Sequence, residues 1–335
     1  MDRYSRQARV AGIGADGVAR IRGARVLIVG CGALGTHLAD TLTRAGGGAL
    51  DLVDRDVVEW SNLQRQVLFD EADARAGAPK AVAAQRRLQA VNADVAVTAY
   101  VADCSRRFLD DLPAPPDLVL DGTDNFPTRY LLNDWCSQRG IPWIYAGAVG
   151  TEGASLVAQP GGPCLRCLWP EPPAQSDVGS CETRGVLAPA IAAVTAFQAA
   201  EALKLLVGAA TTPGVFTCDV WRGTYQVVPM AAGPAPDCAC CVRGERPALV
   251  ADPVAAVTLC GRDAVQVQPP DHGCVDLDAL AERVRGAADE VHRTPHLLRF
   301  RADGTRFTVF PGGRALLFGV ADELRARALY DRWVR

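Results

Sequence analysis

The chain has 335 residues, of which 49% are hydrophobic and 22% are charged, and its formal net charge is −3 at pH 7. This balance is typical of a globular protein with room for two domains, and it disfavours a nucleic-acid partner because phosphate binding requires a cationic surface. The polar N-terminus resembles no signal peptide, and the most apolar stretch, 187–207, carries polar residues at helical spacing, so we expect no membrane span. A cytoplasmic location is therefore expected, in which twelve cysteines would serve metal binding or thiol chemistry rather than a disulfide framework.

The first 150 residues alternate short apolar runs with helical patterns. A short, wholly apolar run is typical of a strand buried on both faces, and alternation of such strands with helices predicts a doubly wound, mostly parallel α/β sheet of the Rossmann-like class. The predicted elements are strands at 25–29, 49–53, 95–101, 117–120 and 143–145, and helices at 33–44, 79–91 and 128–139.

The pattern changes after residue 150. Turn residues and cysteines crowd 161–185, which indicates a long functional loop rather than packed structure. A buried helix at 187–207 and antiparallel strands at 215–219 and 225–228 are predicted to follow.

A domain boundary is expected near residue 243, after a stretch rich in proline, glycine and alanine. The chain would then consist of a first domain, 1–243, and a small C-terminal α+β domain, 244–335, whose role does not follow from its sequence. Its predicted elements are strands at 257–260, 264–267, 297–301, 305–310 and 315–318, and helices at 277–284 and 322–334.

A glycine-rich turn follows the first predicted strand. Residues 30–35 read G-C-G-A-L-G, which matches G-x-G-x-x-G at a strand end and a helix start, where backbone N–H groups can bind phosphate. Asp54 ends the next strand, at the distance where a carboxylate accepts hydrogen bonds from ribose hydroxyls. These features fit NAD and ATP equally well.

Charged residues after later strands favour ATP. Residues 54–66 read D-R-D-V-V-E-W-S-N-L-Q-R-Q, and 121–125 read D-G-T-D-N. Arg65 and Lys80 could neutralise a triphosphate and Asp124 could hold Mg²⁺, which an NAD-dependent oxidoreductase does not need. A solvated rim is the alternative for any one of these charges, but all lie near the C-terminal ends of strands, where such sheets bind ligands.

These motifs resemble the MoeB/ThiF/HesA family, the bacterial relatives of ubiquitin-activating enzymes. The string D-x-D-x-V-x-x-S-N-L-x-R-Q, Lys80, the T-D-N sequence and the N-terminal R-Y-S-R-Q carry the resemblance, which covers roughly residues 3–241. It implies an enzyme that adenylates the C-terminal glycine of a small ubiquitin-like sulfur-carrier protein ending in Gly-Gly, for molybdopterin, thiamine or related biosynthesis. It also implies a homodimer in which Arg6 reaches the phosphates bound by the partner subunit.

The resemblance also assigns individual residues. The nucleotide-binding set is Gly30, Gly32, Ala33, Gly35, Asp54, Asp56, Ser61, Asn62, Arg65, Gln66, Lys80, Asp124 and Asn125. The catalytic set is Arg6, Arg65, Lys80, Asp124 and Cys181. Ala33 is a departure, because the family often has glycine there, and so small a side chain is expected to have little effect.

Two C-x-x-C pairs predict a metal site. Cys164, Cys167, Cys238 and Cys241 have the spacing of a tetrahedral four-cysteine Zn²⁺ site. Four thiolates leave no open position, so the metal would be structural. Cys240 lies between two of the ligands and is expected to point away from the metal.

Cys181 lies in the loop before the apolar helix. The family carries a cysteine here that takes part in persulfide or thioester chemistry in some members, and Arg184 and a helix N-terminus could activate the thiol. A spare loop cysteine is the alternative. The remaining thiols, at positions 31, 104, 136, 218, 260 and 274, are expected to be core or incidental residues.

Other functions remain open at this point. A relative of the family could adenylate another carboxylate, on a peptide or a tRNA-linked base, although the acidic balance of the chain disfavours tRNA. An NAD-dependent oxidoreductase or an inactive scaffold subunit is the other possibility. The charged residues around the glycine-rich turn favour the adenylating enzyme.

Overall fold

The computed structural model describes residues 3–173, 184–250, 256–259, 264–267, 274–320 and 322–335. The chain forms two compact units, Met1–Ala251 and Asp252–Arg335. The segment 244–250 belongs to the first unit, where Ala248 N donates to Asp134 Oδ2 at 3.1 Å.

An eight-stranded sheet lies at the centre of the first unit, with the strand order β3-β2-β1-β4-β5-β6-β7-β8. The first five strands are parallel and the last three are antiparallel, which confirms the predicted doubly wound, mostly parallel fold. The strands are β1 Arg25–Val29, β2 Ala49–Val53, β3 Ala96–Tyr100, β4 Leu118–Asp121, β5 Trp143–Val149, β6 Glu152–Ala158, β7 Val215–Asp219 and β8 Thr224–Val228.

Helices flank this sheet. In chain order they are α1 Gly14–Gly23, α2 Ala33–Ala45, α3 Glu71–Ala76, α4 Lys80–Val91, α5 Arg106–Asp110, α6 Phe126–Arg139, α7 Leu165–Leu168 and α8 Ala188–Val207. The helix α2 buries Leu34, Leu38 and Leu42 against the sheet and ends at Gly46, whose left-handed φ of 83° suits a residue without a side chain.

The strand order places a crevice between β1 and β4. The chain runs outward from β1 through β2 to β3 and then returns to β4 on the other side of β1. Strand order reverses at this point, and ligands of doubly wound sheets bind in the crevice at the carboxyl ends of such strands. The glycine-rich turn after β1 and the 121–125 turn at the end of β4 both lie at this edge.

The helix α8 is the one helix of the described residues that is long and apolar enough to cross a membrane. In this fold it packs against α2, β5 and β6, and half of its most apolar window is buried. Gln198 lies in its middle and donates from Nε2 to Asp121 O and Ile144 O, at 3.0 Å each. This polar bond to the sheet suits a buried core helix, as predicted.

The second unit is an α+β structure, as predicted. Its antiparallel sheet has the order β11-β12-β13-β14-β10-β9, and two helices cover one face around a core that includes stacked Phe300 and Phe307. The elements are β9 Ala256–Leu259, β10 Ala264–Val267, α9 Leu277–Val284, β11 Asp289–Thr294, β12 Leu297–Ala302, β13 Thr305–Val309, β14 Ala315–Phe318 and α10 Glu323–Trp333. The strand β11 was not predicted, because its residues are mostly polar and its edge position leaves them largely exposed.

Candidate nucleotide and metal sites

The glycine-rich turn contains glycines with two different roles. A Cβ atom on Gly35 would lie 1.8 Å from Gly30 O, and one on Gly30 would lie 2.7 Å from Gly122 O, so these positions must be glycine for the turn to lie against the end of β4. Gly32 differs, because the nearest atoms to its Cβ position are 3.9 Å away. The space in front of Gly32, at the N-terminus of α2, is therefore open to a phosphate group.

Asp54 connects the end of β2 to this turn. Its Oδ2 atom accepts a hydrogen bond from Cys31 N at 2.7 Å, and its Oδ1 atom accepts one from Asp56 N at 2.6 Å. Burial raises the pKa of Asp54, while the neighbouring charge of Lys80 opposes that rise. The structure thus places Asp54 directly beside the glycine-rich turn, as its spacing predicts.

Lys80 begins α4 and is 4% exposed. Its Nζ atom lies 3.7 Å from Asp56 Oδ2, and its backbone N–H donates to Asp56 O at 2.9 Å. A buried ammonium is costly unless it is paired, and Asp56 supplies the partner. The fold therefore holds a buried positive charge next to the acidic end of β2.

Gln66 carries an acceptor without a partner. The residue is 4% exposed, its Nε2 atom lies 3.9 Å from the Cβ position of Gly32, and its buried Oε1 atom has no hydrogen-bond partner among the residues that the structure describes. An unsatisfied buried acceptor costs about 1–3 kcal/mol. A ligand with hydroxyl or amino donors, such as a nucleotide, would satisfy it beside the open space at Gly32.

The neighbouring residues of the same string have local roles. The buried Asn62 accepts a hydrogen bond at Oδ1 from Glu59 N, at 3.1 Å. Ser61 is exposed, and its carbonyl oxygen accepts from Arg65 Nη1 at 2.8 Å. These contacts order the loop but do not place the Arg65 guanidinium at the glycine-rich turn.

Asp124 and Asn125 follow β4. Asp124 is exposed, whereas the Asn125 side chain caps α6 by accepting at Oδ1 from Thr128 N at 3.0 Å. Burial lowers the pKa of Arg129, but the charges of Asp121, Tyr145 and Asp124 more than offset it, so that pKa is raised. Asp124 therefore presents a solvent-facing carboxylate close to Arg129, while the Asn125 side-chain oxygen has a structural partner.

A buried ion pair that the motifs did not reveal positions Asp124. Arg129 Nε donates to Asp121 Oδ2 at 3.0 Å, and Arg129 Nη2 donates to Thr123 O at 2.7 Å and to Ala146 O at 3.0 Å. Asp121 Oδ1 accepts from both N and Oγ1 of Thr123. This network fixes the turn that carries Asp124. The sequence does contain one signal for this pair. Asp121 ends a strand that is otherwise wholly apolar, and a buried carboxylate must be paired.

Arg6 lies away from the glycine-rich turn of its own chain. The Tyr4 hydroxyl accepts from Asn92 Nδ2 at 2.8 Å, and Gln7 Nε2 donates to Ala45 O at 3.1 Å. Both contacts lie at the C-terminal ends of α4 and α2, whereas the glycine-rich turn lies at the N-terminal end of α2. That helix has 13 residues, so its two ends are about 20 Å apart at about 1.5 Å per residue.

The four cysteines of the two C-x-x-C pairs converge. The sulfur atoms of Cys164, Cys167, Cys238 and Cys241 all lie within 4.8 Å of one another. Cys164 Sγ is 3.7 Å from Cys238 Sγ, and Cys167 Sγ is 4.0 Å from both Cys164 Sγ and Cys241 Sγ. Tetrahedral Zn²⁺ with bonds of about 2.3 Å places its sulfur ligands about 3.8 Å apart. The cluster therefore fits Zn²⁺, as predicted.

Polar contacts from α6 hold the first cysteine pair in place. Arg166 donates from Nε and Nη2 to the two carboxylate oxygens of Asp134, at 2.9 Å each, and both side chains are buried. Leu165 N donates to Asn133 Oδ1 at 2.9 Å. A bidentate arginine–carboxylate pair has a defined geometry, so α6 orients the C-x-x-C turn relative to the sheet.

Three of the remaining cysteines are buried, and two others lie outside the described residues. Cys31, Cys136 and Cys218 are buried, and burial raises the pKa of each thiol, which fits the prediction of core thiols. Cys181 lies outside the described residues, as does Cys260. Arg184, which follows the segment containing Cys181, lies with Nη2 at 3.7 Å from Glu152 Oε2.

The fold and these residues define a doubly wound α/β protein with an open glycine-rich turn and a cysteine cluster that could hold a metal ion, and comparison with known proteins names its family. The model of the ThiF family matches residues 4–240, and the chain belongs to this family. It is 40% identical over 334 residues to the sulfur carrier protein ThiS adenylyltransferase of Bacillus subtilis strain 168, covering 99% of both chains. The match therefore extends through the C-terminal unit.

Two further comparisons agree. The SAMP-activating enzyme E1 of Haloferax volcanii is 40% identical over 246 residues, which cover 73% of this chain and 90% of that protein. Among solved structures, E. coli MccB with ATP superposes with a TM-score of 0.60 at 24% identity, covering 72% of this chain and 74% of that one. This structural likeness shows a shared fold.

Proposed function

We propose that this chain uses ATP to adenylate the C-terminal glycine carboxylate of a small ubiquitin-like sulfur-carrier protein that ends in Gly-Gly. The similarity to a sulfur carrier adenylyltransferase over 99% of both chains supports this activity. The observation that carries the proposal is the open space at Gly32, which is bordered by the Nε2 donor of Gln66, whose Oε1 atom has no partner among the described residues. The same features favour ATP over a role as a scaffold, which needs no ligand space.

The residues around the crevice can be assigned to the phosphates, the ribose and the metal ion of bound ATP. The α2 N-terminus with Gly32 would bind phosphate through backbone N–H groups, and Asp54 would accept hydrogen bonds from the ribose. Lys80 supplies a buried positive charge beside Asp56. Asp124 would hold Mg²⁺ through its exposed carboxylate, and the ion would supply charge neutralisation and orientation of the phosphates.

The proposed reaction is nucleophilic substitution at phosphorus. An oxygen of the glycine carboxylate attacks the α-phosphorus of ATP, a new P–O bond forms, and the bond to the pyrophosphate leaving group breaks. Negative charge increases on the phosphate oxygens during this step, so the positive charge of Lys80 would stabilise the transition state, and Arg65 would contribute if its guanidinium turns from Ser61 O to the phosphates. No thiol is required, which separates this step from any later chemistry of Cys181.

The N-terminal segment supports a homodimer with composite sites. Tyr4 and Gln7 anchor Arg6 near the far end of α2, so Arg6 does not reach the glycine-rich turn of its own chain. Arg6 is exposed, and a second copy could present it to the phosphates. Each complete phosphate site would then contain residues of both chains.

The four-cysteine cluster is proposed to bind one structural Zn²⁺ per chain. It ties the segment around Cys164 to the segment around Cys238, which are far apart in sequence. Thiolate ligands must remain reduced, so the cluster supports the expectation of a cytoplasmic location.

Pyrophosphate exchange tests the activity directly. We expect exchange between labelled pyrophosphate and ATP only when the matching small protein ending in Gly-Gly is present, because the back-reaction needs the acyl adenylate. Each such protein of the source organism is added in turn, and the same protein without its last two glycines is the control. Exchange with a free peptide carboxylate but with no carrier protein would instead favour adenylation of a different substrate.

Nucleotide choice is a second prediction. Calorimetric titration should show binding of a non-hydrolysable ATP analogue with Mg²⁺ and no detectable binding of NAD. Gly32→Val should weaken ATP binding by about 10-fold or more, because its side chain occupies the space meant for phosphate and one lost charge-assisted contact is worth about 1.5–3 kcal/mol. Gly233→Val is the matched control, since no atom lies within 4 Å of the Gly233 Cβ position. NAD binding without ATP binding would refute the adenylation proposal.

Composite sites are a third prediction. An Arg6→Ala chain mixed with an Asp124→Ala chain should regain exchange activity, because one site of each heterodimer then has both residues intact. Random mixing in equal amounts should restore about a quarter of wild-type activity. The control replaces the second chain by one that carries both substitutions, which leaves no intact site. If native mass spectrometry finds heterodimers and activity does not return, Arg6 does not act across the interface.

A further inference from the structure

Asp124 lies between two anchored residues. Thr123 precedes it, and the Thr123 carbonyl oxygen accepts a hydrogen bond from Arg129 Nη2 at 2.7 Å. Phe126 follows two positions later and is the first residue of α6. A phenyl ring has no hydrogen-bonding group, so only packing can orient the Phe126 side chain. The position of the Asp124 carboxylate therefore depends on the hydrogen bonds of Arg129 and on the residue that packs against Phe126.

Trp169 packs against the Phe126 ring. The two rings form a T-shaped pair with their centroids 6.4 Å apart, at an interplanar angle of 81°. Trp169 forms a second T-shaped pair with Tyr145 of β5, at 5.7 Å and 76°. Edge-to-face aromatic pairs are favourable at centroid distances up to about 7 Å. Trp169 thus connects the first residue of α6 to the neighbouring strand β5.

The same two rings contact Arg129. Its Cζ atom lies 5.3 Å from the centroid of the Phe126 ring and 5.1 Å from that of the Tyr145 ring. A guanidinium group is attracted to an aromatic face, and the attraction is larger where water is excluded, as it is around the buried Arg129. A displacement of either ring would therefore displace the guanidinium that binds Thr123 O.

The surrounding chain holds Trp169 in place. Its backbone N–H donates to Leu165 O at 2.8 Å, and its carbonyl oxygen accepts from Tyr130 Oη at 2.7 Å. The carbonyl oxygen of the next residue, Pro170, accepts from Arg166 Nη1 at 3.1 Å. These contacts attach Trp169 to both α7 and α6. The tryptophan can therefore support the Phe126 and Tyr145 rings from a fixed position.

We propose that Trp169 is a positioning residue of the adenylation site, which keeps the Asp124 carboxylate in place for Mg²⁺ through Phe126 and Arg129. The inference rests on the function proposed above. Trp169 acts indirectly, because it restricts the two rings and the rings restrict the groups that flank Asp124. Loss of the groups that orient a metal ligand typically costs about 10–100-fold in metal affinity or activity.

Magnesium-dependent nucleotide binding tests this role. Calorimetry measures the affinity of the full chain for a non-hydrolysable ATP analogue over a range of Mg²⁺ concentrations, and pyrophosphate exchange is measured over the same range. Trp169→Leu should raise the Mg²⁺ concentration needed for half-maximal binding and exchange about 10-fold, because Asp124 is no longer held in one position. Trp169→Phe keeps an aromatic ring and should stay within about threefold of wild type. The KM for the carrier protein should not change in either variant.

Trp135→Leu is the matched control. Trp135 also lies on α6, is 2% exposed and donates from Nε1 to Asp110 Oδ1 at 3.0 Å. Its replacement should lower the Tm at least as much as Trp169→Leu does and leave the Mg²⁺ requirement unchanged. An equal increase in the Mg²⁺ requirement of both variants would reflect a general loss of stability and would overturn the proposal. If Trp135→Leu does not fold, Trp135→Phe replaces it.

A double variant tests whether Trp169 acts through Asp124. In an Asp124→Ala chain, Trp169→Leu should not increase the Mg²⁺ requirement for nucleotide binding any further, whereas independent effects would multiply. A further increase of about 10-fold would overturn the proposal. If Trp169→Leu does not fold, Phe126→Leu takes its place, because it removes the other ring of the same contact.

Two other results would also decide the question. An unchanged Mg²⁺ requirement in a folded Trp169→Leu chain would overturn the positioning role. A higher KM for the carrier protein with an unchanged Mg²⁺ requirement would overturn it too, because Trp169 would then contact the substrate. If wild-type protein binds no ATP analogue in the presence of Mg²⁺, the proposed function itself is refuted, and the positioning role with it.

Discussion

Asp124→Ala is expected to abolish ATP–pyrophosphate exchange, with a loss of about 10²-fold or more. Asp124 is exposed at the end of the β4 turn, and the buried pair of Asp121 and Arg129 fixes that turn. Removing the carboxylate that is proposed to hold Mg²⁺ would remove the ion's stabilisation of the triphosphate and leave the fold intact. Exchange measured with saturating carrier protein, together with the circular dichroism spectrum, checks both parts.

Two control variants define what this result means. Asp94→Ala removes another exposed carboxylate, beyond the C-terminal end of α4 and away from the crevice, and should leave exchange unchanged. Cys181→Ala should also leave exchange largely intact, because forming the adenylate needs no thiol. An Asp124→Ala protein that keeps most of its exchange activity would remove Asp124 from the proposed site. Loss of exchange in a folded Cys181→Ala protein would show that the two steps are not separate.

Cys167→Ser is expected to cause the largest loss of stability. The cluster joins two segments that lie far apart in sequence, and losing a metal ligand together with the bound ion should lower the free energy of unfolding by about 4 kcal/mol or more. Thermal denaturation of the full chain and metal analysis of the same sample measure both effects. The first unit should unfold at a lower temperature and the zinc content should fall with it.

Cys274→Ser is the control for this variant. Cys274 is exposed and belongs to the second unit, so its substitution should change the free energy of unfolding by about 0.5 kcal/mol or less. Wild-type protein treated with a strong chelator should resemble Cys167→Ser. A zinc-free wild type with unchanged thermal stability would show that the cluster has no structural metal.

Local sequence determined the central elements of the fold. The strands β1, β2 and β4 are buried on both faces, so each reads as an almost uninterrupted apolar run. The helix α2 ends at Gly46, whose left-handed backbone conformation few other residues adopt. These are properties of a few consecutive residues, and for that reason they can be recognised without knowledge of the rest of the chain.

Strands without a clear apolar pattern were less predictable. The edge strand β11 and the antiparallel strand β6 were both missed, although β11 pairs with β12, with a register shift between Asp289 and His292, and β6 pairs in regular register with β5. β11 is polar and mostly exposed, and β6 begins with Glu152 and Gly153, so neither shows a clear apolar pattern. Pairing with a neighbouring strand stabilises such segments, and that contribution depends on tertiary structure.

The residues of the candidate sites also form two groups: those that local motifs predict and those that only the structure reveals. The glycine-rich turn, Asp54 and the two C-x-x-C pairs follow from residue types at fixed spacing, because each motif satisfies a local geometric requirement. The Asp121–Arg129 pair needed the structure, since burial of both groups depends on how α6 packs on the sheet. So did the acceptor of Gln66, whose lack of a partner depends on everything around it.

Tertiary structure alone decided two further points. The sequence assigned Arg6 a role at the phosphates, but only the docking of Tyr4 and Gln7 on the far ends of α4 and α2 separates Arg6 from the crevice of its own chain. Likewise, the sequence shows Cys240 between two candidate metal ligands, and only the folded turn shows that it is buried against Cys164 and Cys238. Spacing along the chain specifies which groups are available, whereas distances in space depend on long-range packing, which no short motif encodes.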